Sequence, residues 1–267
     1  MWYCSKECQK AHWSKHKAAC TKMNGKKIDN LVTAFLVHPV LRGFLSACFC
    51  LDFDILNRPN AETIPYMTHV EIGVEPRDLL TFHRIFDGAD PQQVLKEYGG
   101  RIEGLFQING ISPHPLDGPR LTQNRYDLWQ NRRNELVSQG KAHYPVVVAE
   151  FCYLGRKMSL VHCLEISDVV KKIVKSNEPF RSISRRFGPI ERPFNVLNCL
   201  SFINDQLRSD GVSKCIPKRE ASKEDLEVVF KAGTAARLAK MPTEDCVKAL
   251  LEKVSYAHHY RRFEDMQ

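Results

Sequence analysis

Potential metal ligands recur every four residues at the start of this chain, as Cys4, Cys8, His12, His16 and Cys20. A helix rises about 1.5 Å per residue, so on one helix the first and last of them would lie about 24 Å apart. Tetrahedral zinc binds its ligands at about 2.0–2.3 Å, and a single straight helix therefore cannot bring four of them to one ion. Two ligands that are one helical turn apart can bind the same ion, and Cys4 with Cys8 and His16 with Cys20 are such pairs. The segment must either reverse direction near residues 12–14 or offer two half-sites to two metals.

The spacing of this segment also matches a known pattern. Written as YC-x3-CQ-x2-HW-x2-HK-x2-C, residues 3–20 resemble the second half of a MYND-type zinc finger. The resemblance implies Zn²⁺ as the cofactor and Cys4, Cys8, His16 and Cys20 as its ligands, which in the family belong to two interleaved sites. Each family site is completed by an upstream C-x2-C pair, and neither pair is present in these 267 residues.

MYND fingers are protein-interaction modules, and the resemblance extends to the surface that binds short proline-containing peptides. Gln9 and Trp13 match the residues that help form that surface. Trp13 suits the role because a tryptophan side chain is a large, flat anchor, although it could equally pack beneath the ligands and stiffen a small module. His12 is not a ligand in the family, but its spacing allows it to replace a missing one.

Charge is concentrated in the same region and suggests an alternative partner. Of the 39 basic and 31 acidic residues, seven lysines and one glutamate lie in residues 1–27, which gives that segment +6 of the total +8. A lysine-rich zinc segment is typical of proteins that bind nucleic acid or acidic surfaces. The ligand spacing is not that of a DNA-reading finger, and residues 28–267 carry only +2. Nucleic-acid binding is therefore the second hypothesis, after protein binding.

The cysteines and the N-terminus predict an intracellular protein, nuclear and/or cytoplasmic. Cys4, Lys6, Glu7 and Cys8 lie where a signal peptide needs an apolar stretch, and no apolar run of about 18 residues predicts a membrane span. In a reducing compartment thiols stay free or bind metal. The cysteines beyond the N-terminal segment are expected to be buried free thiols, and they are Cys48, Cys50, Cys152, Cys163, Cys199, Cys215 and Cys246.

Composition divides the chain into three parts. Residues 1–22 form the partial finger, residues 23–30 read as a polar linker, and residues 31–267 are predicted to form one domain of unknown function. Within the linker, Asn24-Gly25 is a turn signal. The following apolar stretch predicts a buried helix, which Pro39 kinks or splits.

Strand patterns lie mainly in the middle of the domain and helix patterns at both ends, which favours an α+β fold with an antiparallel sheet. The clearest strand signal is a hairpin turning at Gly155-Arg156. Strands are predicted at residues 64–76, 100–111, 144–154 and 157–166. Later helices are predicted at residues 77–86, 91–98, 120–140, 167–176, 193–211, 222–233 and 242–264. Ser222 and Thr243 are the expected N-caps of the last two.

Nothing in the sequence predicts an enzyme. The chain has no G-x-S-x-G motif, no P-loop and no dinucleotide-binding glycine motif. A lysine methyltransferase with SET and MYND domains would be expected to show an Asn-His-Ser/Cys motif, but Asn198 is followed directly by Cys199. His258 and His259 are expected on a solvated helix face, and residues 181–192 in a basic surface loop. The sequence therefore favours a zinc-binding adaptor or regulatory protein.

Overall fold

The structure is a computed structural model that describes residues 24–116, 121–184, 188–209, 216–217 and 219–260. The predicted zinc ligands and peptide-contact residues all lie outside those ranges, and they are Cys4, Cys8, His16, Cys20, Gln9 and Trp13.

Two helices that meet at a sharp corner open the described chain. Helix α1 spans Asn24–Val37 and α2 spans Pro39–Asp52, and their axes differ by 90°. Pro39 causes the break, because it removes a helix hydrogen bond but suits the first turn of the next helix. The helix that begins at Asn24 also corrects the predicted linker, since residues 24–30 are helical. No helix in the described ranges is by itself long and apolar enough to span a membrane; α1 and α2 meet that criterion only as a bent pair.

The other helices lie at the predicted positions, although the last one ends at Tyr256, short of the predicted residue 264. They are α3 (Leu79–Phe86), α4 (Pro91–Glu97), α5 (Gln123–Ser138), α6 (Asp168–Ser176), α7 (Val196–Arg208), α8 (Lys223–Arg237) and α9 (Asp245–Tyr256), with 3-10 turns at Ile55–Asn57, Ala61–Thr63 and His258–Tyr260. Ser222 caps α8 as predicted, in a capping box with Asp225. The prediction that Thr243 caps α9 is wrong, because that helix begins after Glu244.

Five strands form the main sheet. They are β1 (Tyr66–Pro76), β2 (Glu103–Pro113), β3 (Val146–Tyr153), β4 (Met158–Glu165) and β7 (Arg219–Glu220), in the order β4-β3-β1-β2-β7. Strands β5 (Phe180–Ser184) and β6 (Gly188–Arg192) pair with each other. This small hairpin replaces the surface loop predicted for residues 181–192.

The α+β class is confirmed, with one correction to the sheet. Strands β1 and β3 are parallel, while the other pairs are antiparallel, so the sheet is mixed. Strand β2 ends beside the start of β1, and β3 begins at that same end. The segment that carries α5 therefore returns to the end of the sheet that it left, and β3 runs parallel to β1.

Helices cover both faces of the sheet. On one face, Phe106 of β2 contacts Phe35 of α1, with ring centres 5.7 Å apart. On the other face, Met67 of β1 packs with Trp129 and Leu136 of α5 in a second, smaller core. Side chains alternate between faces along a strand, so β1 contributes to both cores, with Val70 and Ile72 in the larger one and Met67 in the smaller one.

A buried charge network joins the sheet to three later segments. Glu75 of β1 accepts hydrogen bonds from Lys253 of α9, Arg208 of α7 and Tyr260. Lys253 also donates to Asn109, and both Glu75 and Lys253 are buried. Burial lowers the pKa of Lys253 to about 8, although Glu75 opposes that shift. Burial also opposes the charge on Glu75, but Lys253 and Arg208 outweigh it and lower the pKa of the carboxyl group. The network therefore fixes α7 and α9 against β1.

Candidate functional site

An open apolar groove lies beside β4, between the α1–α2 corner and α6. It encloses about 870 Å³. Four large apolar side chains border it with unusually high exposure: Val37 (76%), Val40 (44%), Val169 (66%) and Ile173 (38%). Single exposed apolar residues are common on protein surfaces, but a contiguous group of them marks an interaction site more often.

The local sequence explains why the groove stays open. The 90° corner at Pro39 carries α2 away from the end of α1, and Val37 and Val40, on the two sides of the corner, remain exposed. Helix α6 begins at a Ser167 cap and buries Val170 and Val174. Its second apolar pair, Val169 and Ile173, then faces outward towards the corner.

Charged groups line one end of the groove. Arg42 of α2 lies 2.6 Å and Arg132 of α5 lies 3.0 Å from the two carboxylate oxygens of Glu165. Burial opposes the charge on Glu165, but its own amide and the two arginines outweigh that effect and lower its pKa. His162 also lines the groove; burial lowers its pKa, so its ring is neutral at pH 7. Arg132 also pairs with Glu135 at 2.6 Å, so the charges of the two arginines are balanced by two glutamates at this end of the groove.

A second polar feature, the His69 cluster, lies on the opposite sheet face and consists of His69, His114, Arg125, Glu150 and Arg156. Arg156 Nη2 lies 2.9 Å from His69 Nδ1, and arginine can only donate, so Nδ1 accepts. The proton of the neutral ring is then on Nε2, which lies 3.6 Å from Glu150 Oε2 and 3.1 Å from His114 Nε2. Arg125 holds Glu150 through two nitrogens, at 2.6 and 3.1 Å. The cluster joins β1 and β3 to the start of α5.

Glu71 and Cys152 lie next to this cluster, opposite each other in the β1–β3 register. Both are buried, and no described residue hydrogen-bonds Glu71 Oε2. Burial, with a smaller contribution from Asp245, raises the pKa of Glu71 to about 7 against the opposing charge of Arg156. Burial also raises the pKa of Cys152 to about 12. Cys152 is therefore a protonated thiol and not an activated nucleophile.

The other thiols and histidines do not form a metal site within the described ranges, where no group of three or more His, Cys, Asp and Glu side chains could hold an ion. The prediction of buried free thiols is confirmed for Cys48, Cys50, Cys152, Cys199 and Cys246; Cys163 is half-buried, and Cys215 lies outside the described residues. The prediction that His259 is solvated is wrong, because its Nδ1 lies 2.9 Å from Asp205 Oδ1 and its side chain is 10% exposed.

The neighbouring His69 and Glu71 are expected to give stability opposite dependences on pH. Burial, reinforced by Arg156 and His114, lowers the pKa of His69 from 6.5 to about 4, so the unfolded chain binds more protons in that window and stability rises with pH. Burial raises the pKa of Glu71 from 4.5 to about 7, so the folded protein binds more protons and stability falls as pH rises through that window.

Glu71→Gln removes the decrease in stability with rising pH that Glu71 causes, and it leaves the increase caused by His69. Urea unfolding at pH 5, 6, 7 and 8 should therefore show the variant gaining stability relative to the wild type as pH increases. A difference between the two proteins that stays constant over this range would contradict the assignment of Glu71.

Sequence reasoning missed the groove, although one signal for it is present. Helix α6 carries apolar residues at 169, 170, 173 and 174, which is a wider apolar face than packing against α2 alone requires. The His69 cluster has no comparable signal, because its members come from segments that are far apart in the chain.

Comparison with known families gives two matches. Residues 1–20 match the MYND finger family, which confirms the resemblance and covers only that N-terminal segment. No curated protein and no solved structure matches the chain significantly. The second match spans residues 23–258, and the chain therefore belongs to the family described as Domain of unknown function (DUF8205).

Proposed function

We propose that this protein is a zinc-binding protein-interaction factor, an adaptor or regulator that works by binding and not by catalysis. In this proposal Cys4, Cys8, His16 and Cys20 hold zinc. Three thiolates and an imidazole are the donors that zinc prefers in structural sites. The observation that carries the proposal is the MYND finger match over residues 1–20, since MYND fingers generally mediate protein–protein interaction.

The finer role follows from the same match. Gln9 and Trp13 occupy the positions that contact short proline-containing peptides in MYND fingers, so we propose such peptides as the ligands of the N-terminal segment. We place the protein inside the cell, in the nucleus and/or the cytoplasm. The exposed valines beside β4 support a binding role for the larger domain as well, because a soluble domain rarely leaves such a group uncovered without use.

Trp13→Ala is expected to weaken peptide binding without changing zinc content. Loss of a buried aromatic anchor costs more than about 1 kcal/mol, which is at least about fivefold in Kd. The measurement is fluorescence anisotropy of the full chain with the best binder from an array of proline-containing ten-residue peptides, together with zinc analysis of each variant.

Trp2→Ala is the matched control, because it removes a tryptophan from the same segment at a position that is not assigned to the peptide surface. Equal losses for the two variants, or loss of zinc together with binding in Trp13→Ala, would show that Trp13 is structural.

A further inference from the structure

We propose that Arg156, in the turn between β3 and β4, is a switch that changes its partner when the buried side chain of Glu71 loses a proton to solvent. While Glu71 is neutral, the guanidinium group of Arg156 donates to His69 Nδ1, the contact present in the structure. When Glu71 is ionised, the guanidinium group turns to the Glu71 carboxylate and leaves His69 Nδ1 without a donor.

The surroundings of Glu71 favour the neutral acid over the carboxylate. Glu71 is 5% exposed, and no described residue hydrogen-bonds its Oε2 atom. A buried carboxylate without donors is costly, so the group keeps its proton to a higher pH than an exposed glutamate does. Burial, reinforced by the negative charge of Asp245 on α9, raises the pKa of Glu71 to about 7. Glu71 therefore changes charge near neutral pH.

Arg156 is within reach of Glu71. Its guanidinium group lies 2.9 Å from His69 Nδ1 and also interacts with the thiol of Cys152. Cys152 lies opposite Glu71 in the parallel β1–β3 pair, and His69 precedes Glu71 by two positions on the same face of β1. A group that reaches both His69 and Cys152 therefore lies beside Glu71, and its charge opposes the rise in the pKa of that carboxyl group.

The Glu71 carboxylate is a stronger acceptor for Arg156 than either of its present partners. A bond from guanidinium to carboxylate joins two opposite charges, whereas the bond to His69 joins a charge to a neutral ring. The other acidic partner, Asp245, lies 3.8 Å from Arg156 Nε and is more than half exposed. Exposed ion pairs contribute little, so Asp245 does not prevent the exchange.

The groups that face Glu71 from β1 and β3 do not change charge near neutral pH. Burial lowers the pKa of His69 to about 4, and burial raises the pKa of Cys152 to about 12. Glu150 is paired with Arg125 at 2.6 Å. Within these two strands, Glu71 is therefore the group that drives the switch.

Three further groups face this region from other segments. From α9, Asp245 repels the Glu71 carboxylate, and Cys246 interacts with it while burial raises the pKa of the Cys246 thiol to about 11. From the segment after β2, His114 contacts the His69 ring, with the two Nε2 atoms 3.1 Å apart. Titration of His114 can change the NMR signals of His69 without any movement of the guanidinium group, so the experiment needs a variant in which only Glu71 is altered.

The test is the ¹⁵N chemical shift of His69 Nδ1 in the full chain, measured by NMR between pH 6 and 8.5. Two variants mark the end states: Glu71→Gln keeps residue 71 neutral, and Arg156→Ala at pH 8.5 shows an Nδ1 atom without its donor. We expect the wild-type signal to coincide with that of Glu71→Gln at pH 6 and with that of Arg156→Ala at pH 8.5, with a midpoint close to pH 7.

Two results overturn the proposal. If the wild type still coincides with Glu71→Gln at pH 8.5, Arg156 stays on His69 when Glu71 ionises. If the wild type and Glu71→Gln move equally with pH, a group other than Glu71 causes the change. Circular dichroism of both variants checks that they fold, which is expected because Glu71→Gln preserves the side-chain shape and Arg156 is about half exposed.

Asp245→Asn tests the surroundings of Glu71 independently. Removing the like charge makes ionisation of Glu71 easier, so the midpoint of the His69 signal should move to lower pH. Arg181→Ala is the matched control, because Arg181 is an exposed arginine that pairs with Glu191, and it should leave the midpoint unchanged. A midpoint that stays the same in Asp245→Asn contradicts the proposed arrangement around Glu71.

Discussion

Glu75→Ala is expected to lower the free energy of unfolding by about 3–5 kcal/mol. The variant leaves the ammonium group of Lys253 buried without its carboxylate partner and also removes the acceptor of Arg208 and Tyr260. Removing one member of a buried charge network costs this much because the remaining charge keeps its desolvation penalty and loses its compensation. Urea unfolding followed by circular dichroism measures the difference.

Glu191→Ala is the matched control for this result. Glu191 pairs with Arg181 at 2.9 Å, but both side chains are more than half exposed. An exposed pair contributes little, so the unfolding midpoint should barely change. A loss below about 1 kcal/mol for Glu75→Ala would mean that water reaches Lys253 and that the network is not buried.

Gly233→Ala is expected to destabilise the protein by about 3 kcal/mol or more, at the upper end of the range for overpacking. A Cβ atom at Gly233 would lie 1.7 Å from the carbonyl oxygen of Phe86, so α8 cannot keep its contact with α3. The clash is with backbone, which cannot move aside as a flexible side chain can. Thermal unfolding of the full chain measures the effect.

Gly43→Ala is the corresponding control, because Gly43 is also helical but a Cβ atom there meets nothing within 4 Å. Alanine is the better helix former, so this variant should gain about 0.5–1 kcal/mol. If Gly233→Ala were as stable as the wild type, α8 and α3 could not be packed as closely as the structure shows.

The elements that the sequence predicted well are those whose signals are local. Pro39 divides α1 from α2 because of its own ring geometry, and the turn at Gly155-Arg156 uses left-handed backbone angles at both residues. Ser222 caps α8 through residues only three positions away. Such features depend on neighbours in the chain, which a sequence displays directly.

The elements that the sequence missed depend on contacts between distant residues. The parallel β1–β3 pair places His69 beside Glu150, and no local pattern encodes that register. His259 looked solvated because its neighbours in the chain are polar, yet it is covered by α7 and pairs with Asp205. Asn24 and Gly25 looked like a turn, but packing of the apolar residues that follow extends the helix back to them.

The candidate sites also differ in whether they are formed by residues that are close together or far apart in the chain. The finger was predicted because its ligands and peptide contacts lie within 20 residues. The groove beside β4 was not predicted, since it is formed by the α1–α2 corner, a sheet edge and α6. Its charged end likewise brings together Arg42, Arg132 and Glu165 from three separate elements.

The claim that this protein binds proteins and not nucleic acid is tested most directly by the dependence of binding on salt. The full chain is titrated into the best proline-containing peptide and, separately, into a 20-base-pair DNA duplex, at 50 and 200 mM salt. A ligand held mainly through phosphate contacts weakens steeply over this range. We expect the peptide to bind at both concentrations with Kd values within about threefold, and to be released when a chelator removes zinc. Tight binding of the duplex at 50 mM salt that weakens at least about tenfold at 200 mM, with no binding of the peptide, would contradict the account.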